Sequence, residues 1–188
     1  MISTKDFAAL EALIKPATIA DWYNLSPILN TANWVLGANG VAVVTAASSI
    51  CAVNFSVGPN ALMTARMRFT SGTVDLRIAN RFLTNTAPNA TYYWAGVTGA
   101  NFRIGKTVDG VFTTLATVAY TLAVNVFADF TLSIVGDSLE ATIDDGTTQA
   151  VLSASDSEIP DPGTHFVRSG PTNTCNIEVP SLSVAEAA

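Results

Sequence analysis

FADFTLSIVGDSLEATIDDGTTQAVLSASDSEIPDPGTHFVRSG, running from Phe127 to Gly170, is the stretch whose reading decides the fold. Phe130, Leu132 and Ile134 alternate with Thr131, Ser133 and Val135, and Gly136-Asp137 supplies a tight turn. Leu139, Ala141 and Ile143 then alternate with Glu140, Thr142 and Asp144 before Asp145-Gly146 turns the chain again. A period of two sends one set of side chains to a core and the other to solvent, and Gly/Asp pairs between such runs are hairpin turns. The segment therefore predicts a three-strand β-meander followed by a Gly/Pro-bounded return.

Outward from this segment the same pattern continues. Short runs bounded by Gly, Pro, Asn or Asp predict strands at 50–57, 61–70, 73–81, 91–98, 101–107, 111–118, 127–135, 138–144, 148–154, 164–169 and 175–184. Thr98-Gly99-Ala100-Asn101 and Val108-Asp109-Gly110-Val111 are the clearest hairpin turns. Many short strands at regular spacing specify a sandwich rather than an α/β fold. One helical pattern precedes them. Ser3 or Thr4 can cap a run in which Phe7, Leu10, Leu13 and Ile14 recur at helical spacing, and Pro16 stops it. Residues 1–20 are thus expected to form a helical arm, 21–184 a single sandwich and 185–188 a frayed tail. A helix this short needs a partner for its apolar stripe, either its own sandwich or another protein.

Composition narrows the function classes. At 188 residues the chain is long enough for one two-sheet core without staples. A net charge of −6 with only nine Lys and Arg argues against a nucleic-acid partner, because phosphate neutralisation needs clustered cations. Arg66, Arg68, Arg77 and Arg81 are the exception, falling in one pair of predicted strands. Charged residues make up only 13% of the chain against 49% apolar, so its surface suits contact with another protein, including further copies of itself. No apolar run approaches a membrane span, and no basic segment followed by an apolar run opens the chain, so neither a membrane location nor a secretory signal is expected. Two cysteines, Cys51 and Cys175, are too few for a disulfide framework and read as small buried apolar residues. His165 is the one histidine, which excludes a histidine-built metal site; it is expected as a strand-rim residue.

The meander, with its Thr131-Leu132-Ser133 strand, its Gly136-to-Asp145 hairpin and its Ser155-Asp156-Ser157-Glu158-Ile159-Pro160 loop, resembles the C-terminal half of LamG-like, concanavalin A-type jelly rolls. The opening Asp21-Trp22-Tyr23, the Trp34-containing strand and the hairpin at 105–116 resemble the same family, so the likeness spans roughly 21–184. It implies an all-β, two-sheet antiparallel jelly-roll sandwich. It also implies that the first and last core strands are neighbours, which would bring Cys51 and Cys175 close together.

Function follows from the resemblance only as a set of expectations. Glycosidases of this fold carry alternating carboxylates on one strand, and no E-x-D-x-E run occurs here, so no enzyme activity is expected. Sugar binding on such folds uses aromatic rings with amides and guanidinium groups; Tyr92, Tyr93 and Trp94, with Asn85, Asn89 and Arg81, are the candidates. Consecutive aromatics on a strand face opposite ways, so at least one of these rings should be core. Calcium is a weaker expectation, with Asp156, Glu158 and Asp161 as the densest acidic cluster. Three roles remain. Small jelly-roll proteins of bacteriophages serve as capsid decoration, head-fibre or tail subunits, and the low charge and short apolar arm make a virion component the leading expectation. Such a subunit would be made in the host cytoplasm and dock on capsid or other virion proteins through Phe7, Leu10, Leu13 and Ile14. The alternatives are a carbohydrate-binding module adhering to a host glycan, and a degenerate glycosidase-like domain.

Overall fold

The computed structural model describes residues 34–36, 42–44, 50–53, 60–82, 91–159, 164–169 and 175–187. Thirteen strands lie among them: β1 (Trp34–Leu36), β2 (Ala42–Val44), β3 (Ile50–Val53), β4 (Ala61–Gly72), β5 (Asp75–Phe82), β6 (Tyr92–Thr98), β7 (Asn101–Val108), β8 (Val111–Ala119), β9 (Ala128–Val135), β10 (Ser138–Asp144), β11 (Gln149–Ser155), β12 (Thr164–Ser169) and β13 (Cys175–Glu186). They form two antiparallel sheets. One runs β1-β2-β13-β4-β9-β10-β11 and the other β3-β12-β5-β6-β7-β8. The described residues form an all-β jelly-roll sandwich, as their strand pattern requires. The helical arm expected at 1–20 lies outside the described residues.

Turn chemistry sets the register. Asp109 and Gly110, at φ 48° and 79°, form the two-residue link between β7 and β8, the doubly left-handed turn for which Asp-Gly is suited. Gly99 and Gly136, at φ 59° and 58°, open the links β6–β7 and β9–β10. At the β10–β11 turn the Asp145 carboxylate accepts from the backbone N–H of Thr147 and Thr148 at 2.9 and 2.7 Å. Those donors hold the Asp145 carboxyl below its ordinary range.

With register fixed, alternation builds the core. Met63, Ala65, Met67 and Phe69 of β4, Phe130, Leu132 and Ile134 of β9, and Leu139, Ala141 and Ile143 of β10 all turn inward. They meet Leu76 and Ile78 of β5, Tyr93, Ala95 and Val97 of β6, and Phe102 and Ile104 of β7. Burying a large apolar side chain contributes about 1.5–3 kcal/mol, so this interlocked set dominates stability. The outward face of the seven-stranded sheet is solvated: Arg66 pairs with Asp129 at 2.8 Å across β4 and β9 with both half-exposed, a contact worth about 1 kcal/mol at most.

One expectation changes here. The strand that carries Cys51, β3, is not a neighbour of the last strand: it pairs with β12 in the six-stranded sheet, whereas Cys175 lies on β13 in the other, opposite Gly72 of β4. The cysteines are therefore not on adjacent strands. Arg66 and Arg68 lie on β4 and Arg77 and Arg81 on β5, in different sheets, because the turn between these strands passes the chain from one sheet to the other. His165 lies in β12, in register with Val53.

Candidate functional site

β5 and β6 are buried on both faces, which separates two sets of polar groups. On the inner face, at one end of the sandwich, Tyr93 and Lys106 capture the loop that follows β11. Lys106 Nζ lies 2.5 Å from Asp156 Oδ2 and 2.5 Å from Glu158 Oε2. Asp156 Oδ1 accepts from the Tyr93 hydroxyl at 2.7 Å and from the Glu158 N–H at 3.0 Å, and the Tyr93 oxygen accepts from the Ile159 N–H at 3.0 Å. Burial and then the Asp156 carboxylate push the Tyr93 hydroxyl up to about 12. The hydrogen bonds to Asp156 and Glu158 hold Lys106 above its ordinary value. Burial pushes the Asp156 carboxyl up, but Lys106, Tyr93 and the Glu158 N–H together keep it below its ordinary value.

This loop absorbs two of the sequence-predicted site residues. Asp156 and Glu158 already hold a cation of their own chain, the Lys106 ammonium, so the acidic cluster is a structural clasp; Asp161, the third candidate, lies outside the described residues. No group of three or more potential metal ligands occurs among the described residues. Arg81 is also a clasp residue. A bulge at Asn80–Arg81 opposite β12 puts Arg81 at φ 53°, and its side chain is only 2% exposed. Its guanidinium donates to the carbonyls of Ile159 and Gly136, each at 2.9 Å. It is committed to the fold rather than to a ligand.

Tyr92, Tyr93 and Trp94 are all buried, so none offers the open stacking platform that sugar recognition would need of them. Tyr93 is core. Tyr92 and Trp94 point the other way, onto the outer face of the six-stranded sheet, and there the second polar set is found. Asn85 and Asn89 lie outside the described residues, as do Phe7, Leu10, Leu13 and Ile14.

The outer face is built around two glycines. Arg77 pairs with Gly96 and Trp94 with Gly105 across neighbouring strands. A Cβ at Gly96 would meet the Leu76 carbonyl and the Arg77 stem, and one at Gly105 would meet the Trp94 indole and the Thr113 carbonyl. The missing side chains let Arg77 and Trp94 lie low across the sheet. The Arg77 guanidinium consequently sits 4.6 Å from the Trp94 ring centroid and 5.2 Å from that of Phe112, and the two rings meet edge-on at 6.5 Å. Asp75 orients the guanidinium through two bonds of 2.8 and 3.2 Å.

Four buried polar atoms here have no hydrogen-bond partner among the described residues: Arg77 Nη1, Trp94 Nε1, Thr98 Oγ1 and Thr107 Oγ1. Alternation and register put all four side chains on this one face. A buried, unsatisfied donor or acceptor costs about 1–3 kcal/mol, so four of them on one face set it apart from the rest of the described sandwich. Beside them the face opens over β7 and β8. Phe112 is 44% exposed, Thr114 and Thr117 are exposed, and Asn101 and Arg103 are partly exposed. An aromatic ring bordered by hydroxyls, an amide and guanidinium groups can stack on a sugar ring and hydrogen-bond its hydroxyls.

Of these residues Trp94 is a candidate on sequence alone; Phe112, Arg103 and Thr107 are not, and Arg77 stands out there only as one of several arginines. The available signal was the Asp109-Gly110 hairpin, which pairs Phe112 with Thr107 and Thr114 with Gly105.

Neither a family model nor a curated protein matches this sequence. Solved structures do match its fold. The carbohydrate binding module CBM66 from Bacillus subtilis superposes with a TM-score of 0.64 at 16% identity, covering 82% of this chain and 91% of its own. Winged bean acidic lectin complexed with methyl-α-D-galactose gives 0.62 at 10% identity over 81% and 89%. A family 7 alginate lyase with bound product gives 0.56 at 10% identity over 82% and 84%. These likenesses establish a concanavalin A-like jelly roll.

Proposed function

We propose that this chain is a non-catalytic carbohydrate-binding module that takes a glycan on the outer face of the six-stranded sheet, over β7 and β8. The observation that carries this reading is the cluster of unpartnered buried polar atoms on Arg77, Trp94, Thr98 and Thr107 beside the exposed Phe112 ring. Sugar hydroxyls both donate and accept, so one ligand can satisfy a guanidinium N–H, an indole N–H and threonine hydroxyls together once the face opens to expose these buried atoms. The likeness to a carbohydrate binding module and to a lectin complexed with a galactoside supports it. A non-catalytic role is favoured because Asp75 is the one acidic residue that the described strands place on this face, and Arg77 holds both its oxygens. Among the described residues no second carboxylate stands by on this face to form an acid/base pair.

Attachment to a virion, the leading expectation from sequence, gains no support from the described strands, and the arm that would dock lies outside them. The test of the glycan reading is a glycan array followed by titration of the best ligand. Phe112→Ala should weaken that ligand by about 1–2 kcal/mol while the protein stays folded. A silent array, or a ligand indifferent to Phe112→Ala, would count against the site.

A further inference from the structure

Resting on that reading, we propose that the glycan is anionic, a hexuronate-containing chain whose carboxylate is held between Arg77 and Arg103 across Gly96. One cross-strand row carries the argument. Arg168 of β12 is in register with Arg77 of β5, Arg77 with Gly96 of β6, and Gly96 with Arg103 of β7. In a chain of net charge −6 with nine Lys and Arg in all, three arginines occupy a single row of one sheet. Asp75 is the only acidic residue that the described strands set against them.

Asp75 neutralises only part of this row, through its ion pair with Arg77. Asp75 engages Nε and Nη2 of Arg77, which leaves Nη1 buried and unpartnered. No described residue pairs with the guanidinium of Arg103, which is partly exposed. The Arg77 stem lies over Gly96 and carries its guanidinium to the Trp94 and Phe112 rings, toward β7, the strand of Arg103, so one sugar carboxylate at the open side of this face can engage both guanidinium groups. Guanidinium groups match carboxylate geometry and bind it more strongly than they bind a neutral hydroxyl. A neutral glycan would satisfy the threonines and the indole but leave the Arg103 guanidinium without an anionic partner.

The test uses the full chain and calorimetric titration with three polymers: polygalacturonate, its methyl ester, and a sulfated galactan of similar charge density. Polygalacturonate should bind at least tenfold more tightly than its methyl ester, with an affinity that falls as salt rises. Arg103→Gln, with an unchanged melting curve, should reduce polygalacturonate to the level of the ester. Equal binding of acid and ester, or preference for a neutral glycan, overturns the anionic ligand and leaves the carbohydrate-binding reading standing. Equal binding of the sulfated galactan overturns carboxylate selectivity, and full affinity in Arg103→Gln overturns the site. Failure of every glycan, array included, overturns both readings. Should Arg103→Gln not fold, the comparison of acid with ester on the unaltered protein decides the matter by itself.

Discussion

The guanidinium carbon of Arg77 lies 4.6 Å from the ring centroid of Trp94. The pairing exists because both side chains cross glycines, Arg77 over Gly96 and Trp94 over Gly105. A cation held on an aromatic face with little water contributes about 1–2 kcal/mol and fixes both groups in one arrangement. It thereby fixes the inner wall of the candidate site.

Gly96→Ala and Gly105→Ala should each destabilise the fold by about 1–3 kcal/mol, because the added methyl meets backbone at both positions and overpacks a closed face. Thermal melts should show a clear drop for each. Gly136→Ala, where the surrounding space is open, offers a contrast: its cost comes from the φ of 58° alone.

Arg81→Ala should cost about 3 kcal/mol or more. It removes two charge-assisted bonds to the Ile159 and Gly136 carbonyls and leaves those acceptors unpaired at the end of the sandwich. Glycan binding should be retained, since Arg81 is not on the candidate face. An unchanged denaturant midpoint would contradict the clasp.

The same clasp makes stability fall at both pH extremes. Asp156 has a depressed folded value, so its contribution is present above the ordinary aspartate value of 3.8 and is lost as pH falls through the folded one. Tyr93 runs the other way: raised from 10.0 to about 12, it contributes fully below pH 10, and the contribution disappears as pH rises toward 12. Lys106, also raised, adds to the alkaline loss. Asp156→Asn should flatten the acid limb, and Tyr93→Phe the alkaline one. Denaturant titrations across pH check both, and parallel limbs in variant and parent would contradict the assignment.

Much of the fold was legible because its determinants are local. Strict alternation in 127–144 and the Gly-Asp and Asp-Gly turns placed β9 and β10 to within a residue, and the strands expected at 164–169 and 111–118 match β12 and β8 closely. The candidate site was less legible because its determinants are not local. Burial of Tyr92 and Trp94 on an outward face, the crossing of Arg77 over Gly96, and the capture of Asp156 by Lys106 all depend on which strands become neighbours. Arg81 looked like a ligand residue, and only the bulge at Asn80–Arg81 reveals that its side chain turns to the sandwich end. Phe112 sits in an edge strand rich in Thr and Ala, and its importance comes from the groups opposite it.

The most direct test of the central claim is the backbone and indole N–H spectrum of isotopically labelled protein, recorded as the best-binding oligosaccharide is titrated in. A glycan seated on the outer face of the six-stranded sheet should shift the Trp94 indole N–H together with the amides of Arg103, Thr107, Phe112 and Thr114. It should leave Thr131, Glu140 and Thr142 of the other sheet unmoved. Saturable shifts confined to that other sheet, with the Trp94 signal unchanged, would contradict the account.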